Sequence, residues 1–245
     1  KLIDSQPQDI VFISNGESNA ERNWKHLQQS TQNIPNRVVR VDGVKGRAEA
    51  YKAALHASKT DWAFCVFAKL NVNQNFDWSW QPDRLQESKH YIFYAQNPVN
   101  GLIYGHMAMI AYNKKLVLNT DPTGLDFTLD SEHEVVPLLS GIADYADDPW
   151  IAWRSAFREC IKLKHSLPNV ENQHRLEQWL NVNLQGDAIG DWSICGAKDA
   201  VEYYDSVQGS FDALKLTYEW VWLEEYFTRR YNQSPDQLCT QFLSH

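Results

Sequence analysis

The sequence predicts an α/β protein: a mixed, mainly parallel sheet flanked by helices, followed by a C-terminal helical region. Three observations carry that reading. Trp62-Ala-Phe-Cys-Val-Phe67 is a run of six apolar residues, short and rich in aromatic and β-branched types, as expected of a strand buried on both faces. Two similar runs, Asp9-Ile-Val-Phe-Ile-Ser14 and Arg37-Val-Val-Arg-Val41, precede it, each separated from the next by a helix-length segment. From Leu167 onward the pattern turns helical. Strands alternating with helices imply parallel pairing through right-handed crossovers.

Taken in order, 9–14 is a first strand. Asn15-Gly-Glu-Ser-Asn19 is a turn in which Ser18 or Asn19 is expected to cap a helix from Ala20, with Trp24 and Leu27 facing the sheet. The second strand ends at Asp42-Gly43. A second helix, Arg47 to Ala57, offers Ala50, Ala53, Ala54 and Ala57 as a close-packing face. The 62–67 run is then the central strand, and polar residues begin behind it at Lys69, Asn71 and Asn73. Asp77-Trp-Ser-Trp-Gln-Pro-Asp83 reads as an aromatic loop, Tyr91–Ala95 and Met107–Tyr112 as two more strands, and Asp121-Pro-Thr-Gly124 as a turn. Val135–Leu139 is a short apolar piece closed by Ser140-Gly141.

Asp147-Asp148-Pro149 is a helix start, acidic cap followed by proline, for a helix from Trp150 to about Lys164. Trp150, Trp153, Phe157 and Ile161 share one face of it, and Arg154 and Arg158 lie side by side. Further helices are expected at Glu171–Leu184, Ala197–Val207 and Phe211–Arg230, with a last one after Ser234-Pro235. The expected division is a nucleotide-binding and catalytic domain over 1–165 and a helical region over 166–245.

Composition narrows the function. Of 245 residues, 43% are hydrophobic and 13% aromatic, which supports a packed core and excludes a disordered chain. Most of the ten tryptophans are expected in that core. A net charge of −8 opposes a simple nucleic-acid binder, though not an enzyme with a local basic patch. Four widely spaced cysteines without CxxC suggest ordinary buried thiols in a reducing cytosol. The chain opens on Lys1 with no signal-peptide pattern, and is expected to be a trimmed or partial chain. No apolar run is long enough for a transmembrane helix, so no membrane partner is expected.

In open α/β sheets, ligands bind beyond the carboxyl ends of the strands. Residues 14–19, 42–47 and 67–73 should therefore converge on one edge, with Phe67-Ala68-Lys69 as its floor. No GxGxxG or GxxxxGK[ST] occurs, so neither a dinucleotide fold nor a P-loop is supported. Asn15, Glu17 and Asn19 are placed to bond a base or ribose, or else only to form the turn and cap the helix. Arg47, at a helix start, suits a phosphate. Asn97 and Asn100 flank Pro98 in a polar loop, and His106 follows Gly105 at a strand start. Asp130-Ser-Glu-His-Glu134 lacks HExxH spacing and is weak as a metal cluster.

Four segments, Asp9-Ile-Val-Phe-Ile-Ser14 with Glu17-Ser-Asn-Ala-Glu-Arg-Asn-Trp24, Val41-Asp-Gly-Val44, Asn97-Pro-Val-Asn-Gly-Leu-Ile-Tyr-Gly105, and Trp153-Arg-Ser-Ala-Phe-Arg-Glu-Cys-Ile-Lys-Leu163, together resemble the phage TET/JBP-associated glycosyltransferases. The last two segments are the specific ones. The resemblance implies a GT-A-like, Rossmann-type fold. It also implies transfer of a sugar from a nucleotide-sugar donor, such as a UDP-sugar, to the hydroxymethyl group of a modified pyrimidine (5-hydroxymethylcytosine type) in DNA. The setting would be the cytoplasm of an infected bacterial host.

On that footing Ser14, Asn15, Glu17, Asn19, Arg47, Lys69, Asn97 and Asn100 would bind the donor. Asp148, Glu159, Arg154, Arg158 and His106 are the catalytic candidates, an inverting transfer needing a carboxylate to take the acceptor's proton. GT-A enzymes usually end the third strand with Asp-x-Asp, which holds a divalent metal; here Phe67-Ala68-Lys69 stands there, so no metal ligands are assigned. Either Lys69 supplies the positive charge itself, or Asp77 or Asp83 holds a metal, or catalysis has been lost. The alternatives to DNA glycosylation are a different acceptor (lipid, protein or glycan) and a non-catalytic nucleotide-sugar-binding module.

Overall fold

The computed structural model describes residues 6–86, 88–121, 128, 130–145 and 147–244. They form two compact units: residues 1–97 with 103–144, and residues 98–102 with 145–245. The division falls at 144/145 rather than at 165/166, so the Asp147-Asp148-Pro149 helix belongs with the C-terminal helices.

The first unit is a seven-stranded mixed sheet, in the order β2-β1-β3-β6-β5-β7-β4, with three described helices. The strands are β1 (Asp9–Ser14), β2 (Val38–Asp42), β3 (Trp62–Phe67), β4 (Leu70–Val72), β5 (His90–Gln96), β6 (Ile103–Asn113) and β7 (His133–Ala143). The helices are α1 (Ala20–Thr31), α2 (Arg47–Ala57) and α3 (Lys114–Asn119). The mixed α/β fold expected from the sequence is observed, but its sheet is evenly mixed rather than mainly parallel. Pairing is parallel at β1–β2, β1–β3 and β5–β7, and antiparallel at β3–β6, β5–β6 and β4–β7. β6, rather than β3, lies at the centre of the strand order. The Val135–Leu139 piece is the middle of a longer strand, and all of the Asp121–Gly124 turn but Asp121 lies outside the described residues.

The first three strands show why the helices lie where they do. β1 has β2 on one side and β3 on the other. The connection to β2 therefore runs one way and the next one runs back, and right-handed crossovers put their helices on opposite faces. Alternate residues of the strands divide between those faces. Ile10, Phe12, Phe64 and Val66 pack with Ala20 and Leu27 of α1, while Val11, Ile13, Ala63 and Cys65 pack with Ala50, Tyr51, Ala54 and Leu55 of α2. Ala53 and Ala57 are half-buried; Tyr51 and Leu55 take the core positions expected of them, because tyrosine and leucine fill the space that two more alanines would leave empty. Phe76 and, from the aromatic loop, Trp78 close the α1 face against Phe64.

β4 imposes a curl. It follows β3 after two residues, yet it pairs with β7 and lies four places from β3 in the strand order. Three Cα steps reach about 11 Å, whereas four strand spacings of a flat sheet span about 19 Å. Only a curled sheet satisfies both. Where β4 meets β7, a Cβ on Gly141 would stand 2.1 Å from the Asn71 carbonyl oxygen, so the approach requires glycine.

The second unit is helical: α4 (Pro149–His165), α5 (Val170–Asn181), α6 (Ala188–Ser206), α7 (Phe211–Lys215), a 3-10 turn (Leu216–Tyr218), α8 (Trp220–Tyr231) and α9 (Pro235–Leu243). α6 begins nine residues before the expected Ala197, capped by Asp187, whose side chain accepts from Gly190 N. The expected 211–230 helix is broken by the 3-10 turn. Trp150, Trp153, Phe157 and Ile161 of α4 are buried as their spacing predicts. α4 and α6 meet at Gly196, where a Cβ would lie 2.2 Å from the Trp153 carbonyl oxygen. Three positions on, buried Asp199 accepts from Trp153 Nε1 (2.8 Å) and the Tyr231 hydroxyl, and pairs with Arg230 Nε (2.7 Å). Burial pushes its carboxyl up, while the bonds from Tyr231 and Trp153 and the charge of Arg230 pull it down. All four cysteines are free, and no helix among the described residues is long and apolar enough to cross a membrane.

Two predictions follow from these cores. Gly196→Ala puts a methyl against backbone, where no rotamer relieves it. We expect a cost near the upper end of overpacking, about 3 kcal/mol, exceeding the about 1 kcal/mol of helix propensity gained, read from the denaturant midpoint. His90 is fully buried, accepts from Asn113 N at 3.0 Å through Nδ1, and desolvation lowers its pKa from 6.5 to about 4. Its folded form refuses a proton that the unfolded chain takes up. Stability should therefore be full above pH 6.5 and fall by roughly 3 kcal/mol as pH drops to about 4. His90→Asn, which keeps an acceptor and removes the titration, should show a flatter pH dependence of the urea midpoint.

Candidate active site at the ends of β1, β2 and β3

The carboxyl ends of the three parallel strands are in register: Ser14 pairs with Asp42, and Ile13 with Phe67. Beyond them lie the 15–19 loop, the 43–46 loop and the Ala68-Lys69 turn. The point between β1 and β3, where successive connections run in opposite directions, is the topological switch at which open α/β sheets bind ligands.

The Ser14 hydroxyl donates to Asp42 Oδ1 (2.5 Å) and accepts from Arg40 Nε (3.0 Å). Arg40 also pairs with Glu21 at 2.7 Å and lies over the rings of Phe12 and Trp24. The Arg40 hydrogen bond holds the Glu21 carboxyl below its ordinary value, and the same bond raises the arginine. The sequence does not single out Arg40 or Glu21 as site residues, and it places Asp42 there only as part of the 42–47 loop. Their signal was a charged residue inside a short apolar strand, Arg40 in Val-Val-Arg-Val, which burial tolerates only with partners.

Glu17 accepts from Asn15 N at 2.6 Å, so its carboxylate shapes the turn. Asn19 occupies the cap position of α1 but makes no cap bond; its buried amide instead donates to Asp144 O at 2.7 Å. Arg47 is the first residue of α2, directly after Gly46, and is half-buried at the positive end of the helix. Lys69 is half-buried in the turn between β3 and β4. Ala68 N donates to Ile13 O (2.9 Å) and Asp144 N to Lys69 O (2.8 Å), which fixes that turn to β1 and to the end of β7. Asn97 is buried after β5, and His106 is half-buried in β6, where its Nδ1 accepts from Ala108 N at 3.1 Å.

The other candidates belong to the helical unit. Asn100 is buried and accepts from Leu102 N at 3.1 Å. Asp148 caps α4, accepting from Ile151 N at 2.8 Å, and also accepts from the Cys239 thiol at 3.7 Å. Glu159 pairs with Lys162 at 3.1 Å. The Arg154 guanidinium stacks 3.7 Å from the ring of Trp220, and Arg158 stands 4.7 Å from that of Tyr218. Trp220 is the one exposed tryptophan of the ten.

Asp77 and Asp83, the alternative metal ligands, fold their own loop: Asp77 accepts from Ser79 N (3.0 Å) and Oγ (2.5 Å), and Asp83 from Leu85 N (3.0 Å). Among the described residues no group of three or more His, Cys, Asp or Glu is arranged to hold a metal ion.

No protein-family profile matches the chain, and no curated protein matches it. Among solved structures it is similar to 4-diphosphocytidyl-2C-methyl-D-erythritol synthase from Anaerococcus prevotii, with a TM-score of 0.36 and 10% identity over 57% of this chain and 92% of that one. It is also similar to HddC from Yersinia pseudotuberculosis, with a TM-score of 0.37 and 10% identity over 55% of this chain and 91% of that one. Overlaps of this size carry no argument, and the chemistry rests on the residues.

The capping role of Asp148 is open to a direct test. Asp148→Ala should lower stability by about 1 kcal/mol, whereas Asp148→Asn, an equally good cap, should stay within a few tenths, both read by chemical denaturation.

Proposed function

We propose that the chain is a nucleotide-sugar-dependent glycosyltransferase of GT-A type that moves a sugar onto the hydroxymethyl group of a modified pyrimidine in DNA. The observation that carries the donor half is the edge at the β1/β3 switch point, where Lys69 lies in the turn after β3 and Arg47 opens α2. A nucleotide diphosphate needs positive charge and N–H groups, and a helix start with arginine supplies both. The acceptor half rests on the resemblance of the 97–105 and 153–163 segments.

In the transfer, the acceptor oxygen bonds to the anomeric carbon as the bond from that carbon to the diphosphate breaks. The acceptor's proton passes to a carboxylate, and the nucleoside diphosphate leaves with an added negative charge. Lys69 is assigned to offset that charge, its ammonium acting where a metal would otherwise stand. The engagement of Asp77 and Asp83 in their own turns supports this assignment over a metal held by them.

The net charge of −8 favours a second reading with the same donor chemistry and a non-DNA acceptor. Incubation with UDP-sugars and DNA containing hydroxymethylcytosine separates the two. A sugar's mass added to the base is the expected result. Donor hydrolysis that DNA does not stimulate points to the other acceptor, and tight donor binding without turnover points to a binding module. Activity should survive EDTA and fall about 100-fold or more in Lys69→Ala; full activity in that variant overturns the role of Lys69.

A further inference from the structure

Lys69 sits on a turn whose backbone is held from α1. Four α1-side residues spaced as one helical stripe, Asn19, Arg22, Asn23 and His26, all bond to the segments that meet there. Asn19 Nδ2 donates to Asp144 O (2.7 Å) and Arg22 pairs with the Asp144 carboxylate (2.8 Å), while Asp144 N donates to Lys69 O (2.8 Å). His26 Nε2 meets Val72 O at 2.8 Å, just beyond the turn. Asn23 is fully buried, and its Nδ2 donates to the carbonyl of Ala68 at 2.7 Å, one peptide from Lys69.

Asn23 is unusual in a second way: its Oδ1 is buried and has no hydrogen-bond partner. A buried amide that uses only its donor costs stability relative to leucine, which is close to it in size. Packing alone does not account for an asparagine here; its single bond to Ala68 O does something a leucine cannot. We propose that Asn23 is a positioning residue, which fixes the Ala68-Lys69 peptide and so sets where the Lys69 ammonium stands. This rests on the donor role of Lys69 proposed above.

The test compares wild type with Asn23→Leu, and with Asn19→Ala as the second variant should Asn23→Leu not fold. Each is reductively methylated with ¹³C, and the Lys69 dimethylamine signal is assigned through Lys69→Arg. Its shift and pKa are recorded with and without UDP, beside the melting curve and the split of turnover into kcat and KM. The expected result is a folded variant whose Lys69 signal moves or broadens and whose UDP-induced shift is lost. Its kcat should fall at least 10-fold, with KM for the donor changed less than threefold. A folded Asn23→Leu variant with the wild-type Lys69 signal, UDP response and kcat overturns the proposal.

The outcomes separate the two claims. A Lys69 signal that depends on Asn23, in a protein that transfers no sugar, leaves the positioning standing and removes the glycosyltransferase reading. Turnover in wild type that neither variant alters leaves the enzyme standing and removes the positioning.

Discussion

The constraint on which the sheet unit depends is the two-residue step from β3 to β4. A chain that must leave β3 and pair at once with β7 cannot do so across a flat sheet, so the strands between them have to wrap. Everything near that step is shaped to permit it. Gly141 lets the β7 backbone come against Asn71, and the polar stripe of α1 takes up carbonyls that leave the regular ladder at Ala68, Val72 and Asp144. Buried backbone groups outside a ladder have to be satisfied somewhere. Here an amphipathic helix supplies the partners, and its inward polar residues are as structural as its leucine.

What could be read from the sequence followed from how local each signal was. β1, α2 and β3 were legible nearly to the residue, because apolar runs and turn residues mark them within six to eleven positions. β4 was not. Leu70-Asn-Val72 is too short to have a period, and its strand character comes wholly from a partner about seventy residues on. Asn19 read as a cap because asparagine before a helix usually is one, and tertiary bonding to Asp144 won instead. Asn23 and His26 gave no signal, since polar residues on a helix read as its wet face unless the partner carbonyls are known. The converging loops were predictable from topology alone; the bonding of Arg40 to Ser14, Glu21 and Asp42 was marked only by a charge inside an apolar strand.

The helical unit repeats this logic with charge. Asp199 of α6 bonds Trp153 of α4 and Arg230 and Tyr231 of α8, next to the close contact at Gly196. A carboxylate so buried is tolerable only when fully bonded, and its donors on α4 and α8 tie both helices to α6. A shift of one helix along another would break the set, so the network fixes register where aromatic packing would allow sliding. The arginines of α4 are drawn into the same task. With Trp220 over Arg154 and Tyr218 near Arg158, their planar cations serve as packing faces for rings. Any phosphate group approaching Arg154 or Arg158 would have to compete with that stacking.

The turn after β3 bears on how a lysine could stand in for a metal in the proposed transfer. A metal held by two carboxylates is placed by the rigidity of its ligands. A lysine ammonium hangs on a flexible four-carbon stem, and its placement costs entropy unless its root is fixed. The bonds made by Ile13, Asn23 and Asp144 fix that root on both peptides of the turn. With the backbone fixed, only the torsions of the side chain itself would remain to be ordered by a diphosphate, and preorganisation of charge is where electrostatic catalysis gains most. The same wrapping that lets β4 reach β7 thus brings the Asp144 end of β7 against the turn. The fold's least local pairing and the backbone that carries Lys69 are therefore held by one set of hydrogen bonds.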